Sequence, residues 1–277
     1  MNQPAHQMSD EQANPLDPST PHEPAAEVEN VSVYYRSYQQ RPTSLKETLI
    51  RRFKHGNFAS FSSFAALSQV NFQVDKGSVV GIIGSNGCGK STLLKVLAQV
   101  LIPTRGKVTM HGKVASLIEL GAGFDPELNA VENIYLNGSL HKRTKRELKG
   151  RVEQIIEFAD LGDFQLTPIK YYSSGMYARL GFSVAIDINP DILLVDEVLA
   201  VGDERFQAKC NDFFHRFIQS GRTLIIASHD LSMIGRLAQN VLLLSKGKLI
   251  FYGPPGEAIE IYRNQDYVTA LTERKDS

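Results

Sequence analysis

The stretch that most constrains this chain is Gly84-Ser85-Asn86-Gly87-Cys88-Gly89-Lys90-Ser91-Thr92. It follows the apolar run Val79-Val80-Gly81-Ile82-Ile83 and precedes Leu93-Leu94-Lys95-Val96-Leu97-Ala98, so a buried strand passes through a glycine loop into a helix. The loop fits G-x-x-x-x-G-K-[ST] in full, in the strand–loop–helix setting that the motif requires. Glycines let backbone N–H groups curl around phosphate oxygens, and the helix start points its positive end at the same anion. Lys90 is expected to reach the outer phosphates, and the Ser91 hydroxyl to ligate Mg²⁺. A glycine-rich turn without a ligand has no need of Lys-Ser at its end.

The 277 residues suffice for one large or two small domains. Thirty basic residues balance thirty acidic ones, which argues against a nucleic-acid partner held by broad basic attraction. No apolar run approaches the roughly 18–20 residues that span a bilayer, and the N-terminus lacks a charged-then-apolar leader pattern. A soluble, cytosolic chain is expected. Cys88 and Cys210 sit in unrelated settings, so no disulfide is expected. Cys88 lies beside a helix N-terminus, which predicts a favoured thiolate whose alkylation blocks the loop.

Residues 1–26 are rich in Pro, Gln, Ser and acidic side chains and read as a disordered tail. Glu27 to Tyr35 alternates as a first strand, and Leu67 to Val74 is a second, ending at Asp75-Lys76-Gly77. Between them Ser44-Leu45-Lys46-Glu47 is a capping box, followed by a short basic amphipathic helix. That helix either docks on a membrane surface or partner, or packs on its own domain. Lys107 to Leu120 predicts two short strands broken at His111-Gly112. Asn129 to about Asp160 has helical periodicity, with the basic stretch His141 to Arg146 as a solvated connection. Ile192–Val195 and Thr223–Ser228 are further buried strands, Val241–Ser245 and Lys248–Tyr252 a hairpin, and Pro255–Arg263 a last helix. The polar end, 263–277, reads as a short tail.

Three further stretches carry chemistry. Asp196-Glu197 ends an apolar strand, where Asp196 can hold Mg²⁺ through water and Glu197 can take a proton from the attacking water. Ser228-His229 ends another strand, and His229 can hydrogen-bond a γ-phosphate. Ser173-Ser174-Gly175, before Met176-Tyr177-Ala178-Arg179, reads as a helix N-terminus at which Ser173 and the backbone near Gly175 can bind an anion.

The stretch Tyr172-Ser173-Ser174-Gly175-Met176 resembles the Leu-Ser-Gly-Gly-Gln signature of ATP-binding cassette ATPases, matching it at Ser173 and Gly175 and departing at the other three positions. Glycine loop, helical insertion, signature, Asp-Glu strand and Ser-His follow one another in that family's order. The resemblance covers residues 27–262 and implies an α/β P-loop NTPase fold. Its parts are a mainly parallel core sheet, an antiparallel β subdomain and an α-helical subdomain at about 124–185. It implies ATP and Mg²⁺ as cofactors and a head-to-tail homodimer. Each ATP is then held between one glycine loop and the Ser173 and Gly175 of the other copy. Gly202-Asp203 resembles the loop that communicates across that dimer. Tyr35 falls where the family stacks an aromatic on adenine; Tyr38 is the rival, and a core tyrosine is the plain alternative. The family's switch glutamine is absent, and Glu119 is the nearest candidate for a Mg²⁺- and water-sensing coupling residue.

Ser116 to Leu128, Glu132 to Gly138, Tyr172 to Met176 and Asp196 to Asp203 look like the cassettes of bacterial polysaccharide exporters. So does the long insertion at 36–64. That resemblance implies export of a lipid-linked glycan (O-antigen, capsule or teichoic acid). It further implies a separate membrane permease subunit and a peripheral position at the cytoplasmic face of the inner membrane. A chain ending soon after the cassette is expected to lack a glycan-binding domain of its own. A non-transport cassette ATPase and a binding switch with little hydrolysis are the competing readings. The single site without a heptad run opposes the first, and Glu197 the second.

Overall fold

A computed structural model describes residues 23–37, 62–196 and 202–264 of the chain. The capping-box helix expected after Ser44, Tyr38, Glu197 and the polar end beyond Asn264 lie outside the described residues.

Three short runs build the centre: β3 (Val79–Ile83), β6 (Ile192–Asp196) and β7 (Thr223–Ala227). They are rich in Val, Ile and Leu and buried on both faces, the pattern of strands inside a parallel sheet. With β5 (Val114–Ser116), β8 (Asn240–Ser245) and β9 (Lys248–Gly253) they form a six-stranded sheet in the order β5-β6-β7-β3-β8-β9. All its neighbours are parallel except the β8–β9 hairpin. A second, three-stranded antiparallel sheet is ordered β2-β1-β4, from β1 (Pro24–Ser37), β2 (Ser62–Asp75) and β4 (Arg105–Met110). The break at His111-Gly112 therefore separates strands of two different sheets. The tail boundary moves too. Ala25 and Ala26 are fully buried within β1, so the strand starts at Pro24 and the tail expected over 1–26 does not extend through them.

Strand alternation divides the core. Val80 and Ile82 face α1 (Lys90–Leu97), whose Leu93, Leu94 and Leu97 also meet Val28, Val33 and Leu67 of the antiparallel sheet. Val79 and Ile83 face the other way, onto Phe206, Cys210 and Phe214 of α6 (Glu204–Gln219), Ile234 of α7 (Leu231–Leu237) and Ala258 of α8 (Pro255–Arg263). Thus α1 is sandwiched between the two sheets.

A third cluster lies within the helical subdomain, made of α2 (Ala130–Leu140), α3 (Lys145–Lys149), α4 (Val152–Ala159) and α5 (Ser174–Asp187). Capping boxes start α2 (Asn129 with Glu132) and α3 (Thr144 with Glu147). The stretch expected as a solvated basic connection is partly an anchor instead. Arg143 Nη1 lies 2.6 Å from Asp187 Oδ2, and Arg151 Nη2 lies 2.6 Å from Asp187 Oδ1. Asp187 has a side chain only 4% exposed, so both guanidinium groups neutralise a carboxylate that water cannot.

Removing that carboxylate leaves two cations facing a polar pit without their anion. Because Arg151 is 45% exposed and can turn to water, Asp187→Ala is expected to cost about 2–3 kcal/mol in a denaturant titration, below the full penalty of a buried unpaired charge. A loss below about 1 kcal/mol contradicts the anchoring role.

Candidate functional site

Strand register brings the sequence-marked residues to one edge. Ile82 pairs with Ala227, and Ala227 pairs with Asp196. Each strand then ends in one marked group: β3 in the glycine loop, β7 in Ser228-His229 and β6 in Asp196. Parallel strands leave their carboxyl ends together, which is where open α/β sheets bind ligands.

The glycine loop is shaped by close contacts. Gly84 has φ +149°, and a Cβ there would stand 2.3 Å from the Leu244 carbonyl oxygen and 2.6 Å from Cys88 Sγ. Gly89 caps α1 at φ +113°, and its Cβ would meet the Ala66 carbonyl oxygen at 2.7 Å. Loop backbone bonds complete the turn: Cys88 N–H donates to the Ser85 carbonyl at 3.2 Å, and Gly247 N–H donates to the Cys88 carbonyl at 2.9 Å. Lys90 folds back under the loop, donating to the carbonyls of Gly84 at 2.8 Å and Ser85 at 3.2 Å. Its side chain is largely withdrawn from water, with the residue 8% exposed, and no ion pair neutralises it among the described residues. With no carboxylate paired to it among the described residues, the Lys90 amine is left open to an anionic ligand. The residues present therefore fit a polyphosphate. Ser91 is exposed at the start of α1, and Thr92 is half-buried beside it. Ser85, Asn86 and Gly87 form the outward, solvent-facing arc.

Cys88 departs from expectation. The thiol is 2% exposed and packs into the core against Gly84. Burial pushes its pKa up, and the nearby Lys90 charge offsets this only in part. The helix-terminus argument for a thiolate is therefore overruled by desolvation. Cys210 is buried likewise, and its pKa is pushed up to about 12. Both cysteines are free, as the sequence implied.

Asp196 is half-buried at its strand end, and His229 is exposed. Asp230 caps α7 by accepting from the N–H groups of Ser232 at 2.9 Å and Met233 at 3.0 Å, which fixes the turn that carries His229. Glu119 follows β5 and lies 2.7 Å from Lys95 Nζ, an ion pair that the sequence reading passed over. No local spacing in the sequence points to it, because its partners lie on different elements. Tyr35 is 44% exposed at the end of β1, opposite Phe64 of β2.

Ser173 and Gly175 are elsewhere. Ser173 caps α5 by accepting from the Met176 N–H at 3.2 Å. With Gly175, Arg179, Gly202 and Asp203 it lines a hollow of about 520 Å³ that shares no residue with the glycine loop. One copy thus carries a cationic phosphate cradle and, apart from it, a second anion-competent helix end. No helix among the described residues is long and apolar enough to cross a membrane.

A family model described as ABC transporter matches residues 67–200. The chain is 42% identical over 241 residues to the "O-antigen export system ATP-binding protein RfbB" of Klebsiella pneumoniae, covering 87% of this chain and 98% of that one. It is 41% identical over 235 residues to the "Teichoic acids export ATP-binding protein TagH" of Bacillus cereus, covering 85% of this chain and 42% of that longer relative. Among solved structures, a dimeric ATP-binding cassette bound to ADP and Pi shares the fold, with a TM-score of 0.64 and 21% identity over 83% of this chain and 98% of that one.

The buried thiol gives a direct check on the loop. A thiol reagent is expected to modify Cys88 far more slowly than free cysteine at neutral pH. Because the pKa is raised, the rate should climb only above the ordinary thiol range of about 8.5. Labelling at the free-cysteine rate at pH 7 contradicts this burial.

Proposed function

The chain belongs to the ABC transporter family, and we propose that it is the ATP-binding and ATP-hydrolysing subunit of an exporter of a lipid-linked cell-surface polysaccharide, such as O-antigen or capsule. The observation that carries this reading is the end-to-end likeness to an O-antigen export ATP-binding protein. It is joined to a phosphate cradle with Asp196 and His229 at the same sheet edge. The work is done through a separate membrane permease, with this subunit peripheral at the cytoplasmic face of the inner membrane.

Each residue has a part. Lys90 turns from the Gly84 and Ser85 carbonyls to the outer phosphates, and the loop N–H groups from Gly84 to Thr92 hold the remaining oxygens. Tyr35 stacks on the adenine. Ser91 and Asp196 would hold Mg²⁺, which would supply positive charge against the phosphates when bound. Glu197 accepts the proton of the attacking water, and His229 hydrogen-bonds the γ-phosphate and keeps that water in line. Glu119 senses the filled site and passes its state to the helical subdomain. Ser173 and Gly175 serve the nucleotide of a second copy, since their hollow is separate from the loop of their own chain. ATP therefore closes a homodimer, and hydrolysis reopens it.

Two experiments test this. Glu197→Gln is expected to keep ATP binding and lose nearly all turnover, about 10²-fold or more, with a trapped dimer on size exclusion. Unchanged turnover refutes its role as base. The shared site is tested by mixing a Lys90→Ala chain with a Gly175→Asp chain, each inactive alone. A mixed dimer contains one intact loop facing one intact helix end, so ATPase activity should reappear. Self-contained sites would leave the mixture silent.

A further inference from the structure

The loop after β5 is held at both ends, and the two holds differ in kind. Upstream, Glu119 meets Lys95 of α1 at 2.7 Å. Downstream, the loop is tied to the helical subdomain. Tyr177 Oη donates to the Gly121 carbonyl at 3.2 Å, Asn137 Nδ2 donates to the Ala122 carbonyl at 3.2 Å, and Asp125 N–H donates to Asn133 Oδ1 at 2.7 Å. A cavity of about 210 Å³ is lined by Lys95 and Glu119 together with Asn137 and Val184 of the helical subdomain. The loop is a strap between the helix that leaves the phosphate loop and the helical subdomain.

Position along α1 gives the ion pair its meaning. Ser91 and Lys95 are four residues apart and share one helix face, separated by one turn of about 5.4 Å. Glu119 on Lys95 is thus parked one turn from the hydroxyl read above as a metal ligand. The Lys95 ammonium is stabilised first by Glu119, then more weakly by Tyr35 and Asp196, so these groups gather around it. Both partners are open to water, at 37% and 52% side-chain exposure, and such a pair adds little to stability. A weak pair is easily exchanged. A divalent cation one turn away offers Glu119 a stronger partner than a single ammonium.

We propose that Lys95 is a positioning residue: it parks Glu119 away from the metal position in the nucleotide-free chain and releases it when Mg²⁺ arrives with nucleotide, moving the strap. A glutamine at position 119 could still accept a hydrogen bond from Lys95 but would lose the charge that both the ammonium and a divalent cation attract, so the acid and the lysine work as a unit. The inference rests on the reading of Ser91 and Glu119 given above.

The test uses the full chain and two readouts other than turnover. A zero-length carbodiimide should join Lys95 to Glu119 in the nucleotide-free protein, detected by peptide mass spectrometry. The cross-link should persist with a non-hydrolysable ATP analogue alone and fall sharply when Mg²⁺ is added. Separately, Mg²⁺ is titrated by calorimetry into the chain holding that analogue. Lys95→Ala should tighten Mg²⁺ about five-fold by freeing Glu119, Lys95→Arg should stay near the parent, and Glu119→Gln added to Lys95→Ala should cancel the gain. The melting temperature of the nucleotide-free Lys95→Ala chain should not change, which separates positioning from mere support. Failure to cross-link in the free chain, a cross-link that survives Mg²⁺, or unaltered Mg²⁺ affinity in Lys95→Ala each overturns the proposal. Loss of analogue binding by the parent chain would also overturn it, and would strike the ATP reading as well; the other failures leave that reading intact.

Discussion

The register of the parallel strands is the constraint on which everything else depends. A slip of one residue between β7 and β3, or between β6 and β7, would turn every side chain to the opposite face. It would also carry Asp196 or His229 off the edge where the glycine loop emerges. The register is guarded by burial on both sides. Val80 and Ile82 belong to the core around α1, while Val79 and Ile83 belong to the core around α6, and neither set is interchangeable with the other. Packing that encloses apolar side chains thus also fixes where the polar groups stand.

That edge sets the limits of a single chain. The phosphate cradle lies between the two sheets, anchored by α1, whereas the Ser173 end of α5 projects from a different layer and opens into a hollow with Gly202 and Asp203. Gly202 and Asp203 follow β6 and lead into α6, where Asp203 accepts from the Phe206 N–H at 2.9 Å and stands 3.5 Å from Arg179. The strand that bears Asp196 is therefore connected in a few residues to the hollow lined by Ser173.

How much of this was legible in the sequence follows the range of the interactions. The glycine loop, the buried strands and the helix start at Ser173 are local, and local chemistry dictates them. Partners far apart in sequence were not legible. Nothing in His141–Arg146 reveals that Arg143 meets Asp187, 44 residues on, and nothing near Lys95 names Glu119. The assignment of β4 and β5 to different sheets was hidden for the same reason. Cys88 shows a local rule losing to a nonlocal one. A helix N-terminus favours a thiolate, but the sequence cannot say that Leu244 and Gly84 will close over the sulfur and remove the water that charge needs. The separation of the Ser173 hollow from the glycine loop is a property of topology, and no spacing in the chain encodes it visibly.

Two of the links that join the helical subdomain to the rest among the described residues are of unequal strength, and the inequality is informative. Phe158 and Phe182 of α4 and α5 interlock with Phe206, Phe213 and Phe214 of α6, with ring centroids 5.7 to 6.1 Å apart. Burying rings of this size is worth several kcal/mol each, at about 25 cal/mol per Å² over 150–250 Å². The strap after β5 offers hydrogen bonds and an exposed ion pair worth about 1 kcal/mol or less. Ring contacts are non-directional and tolerate small rotations, whereas the strap's bonds are directional. The two links therefore differ in how they respond to a small displacement: the rings can slide, while the strap's bonds must keep their angles or break.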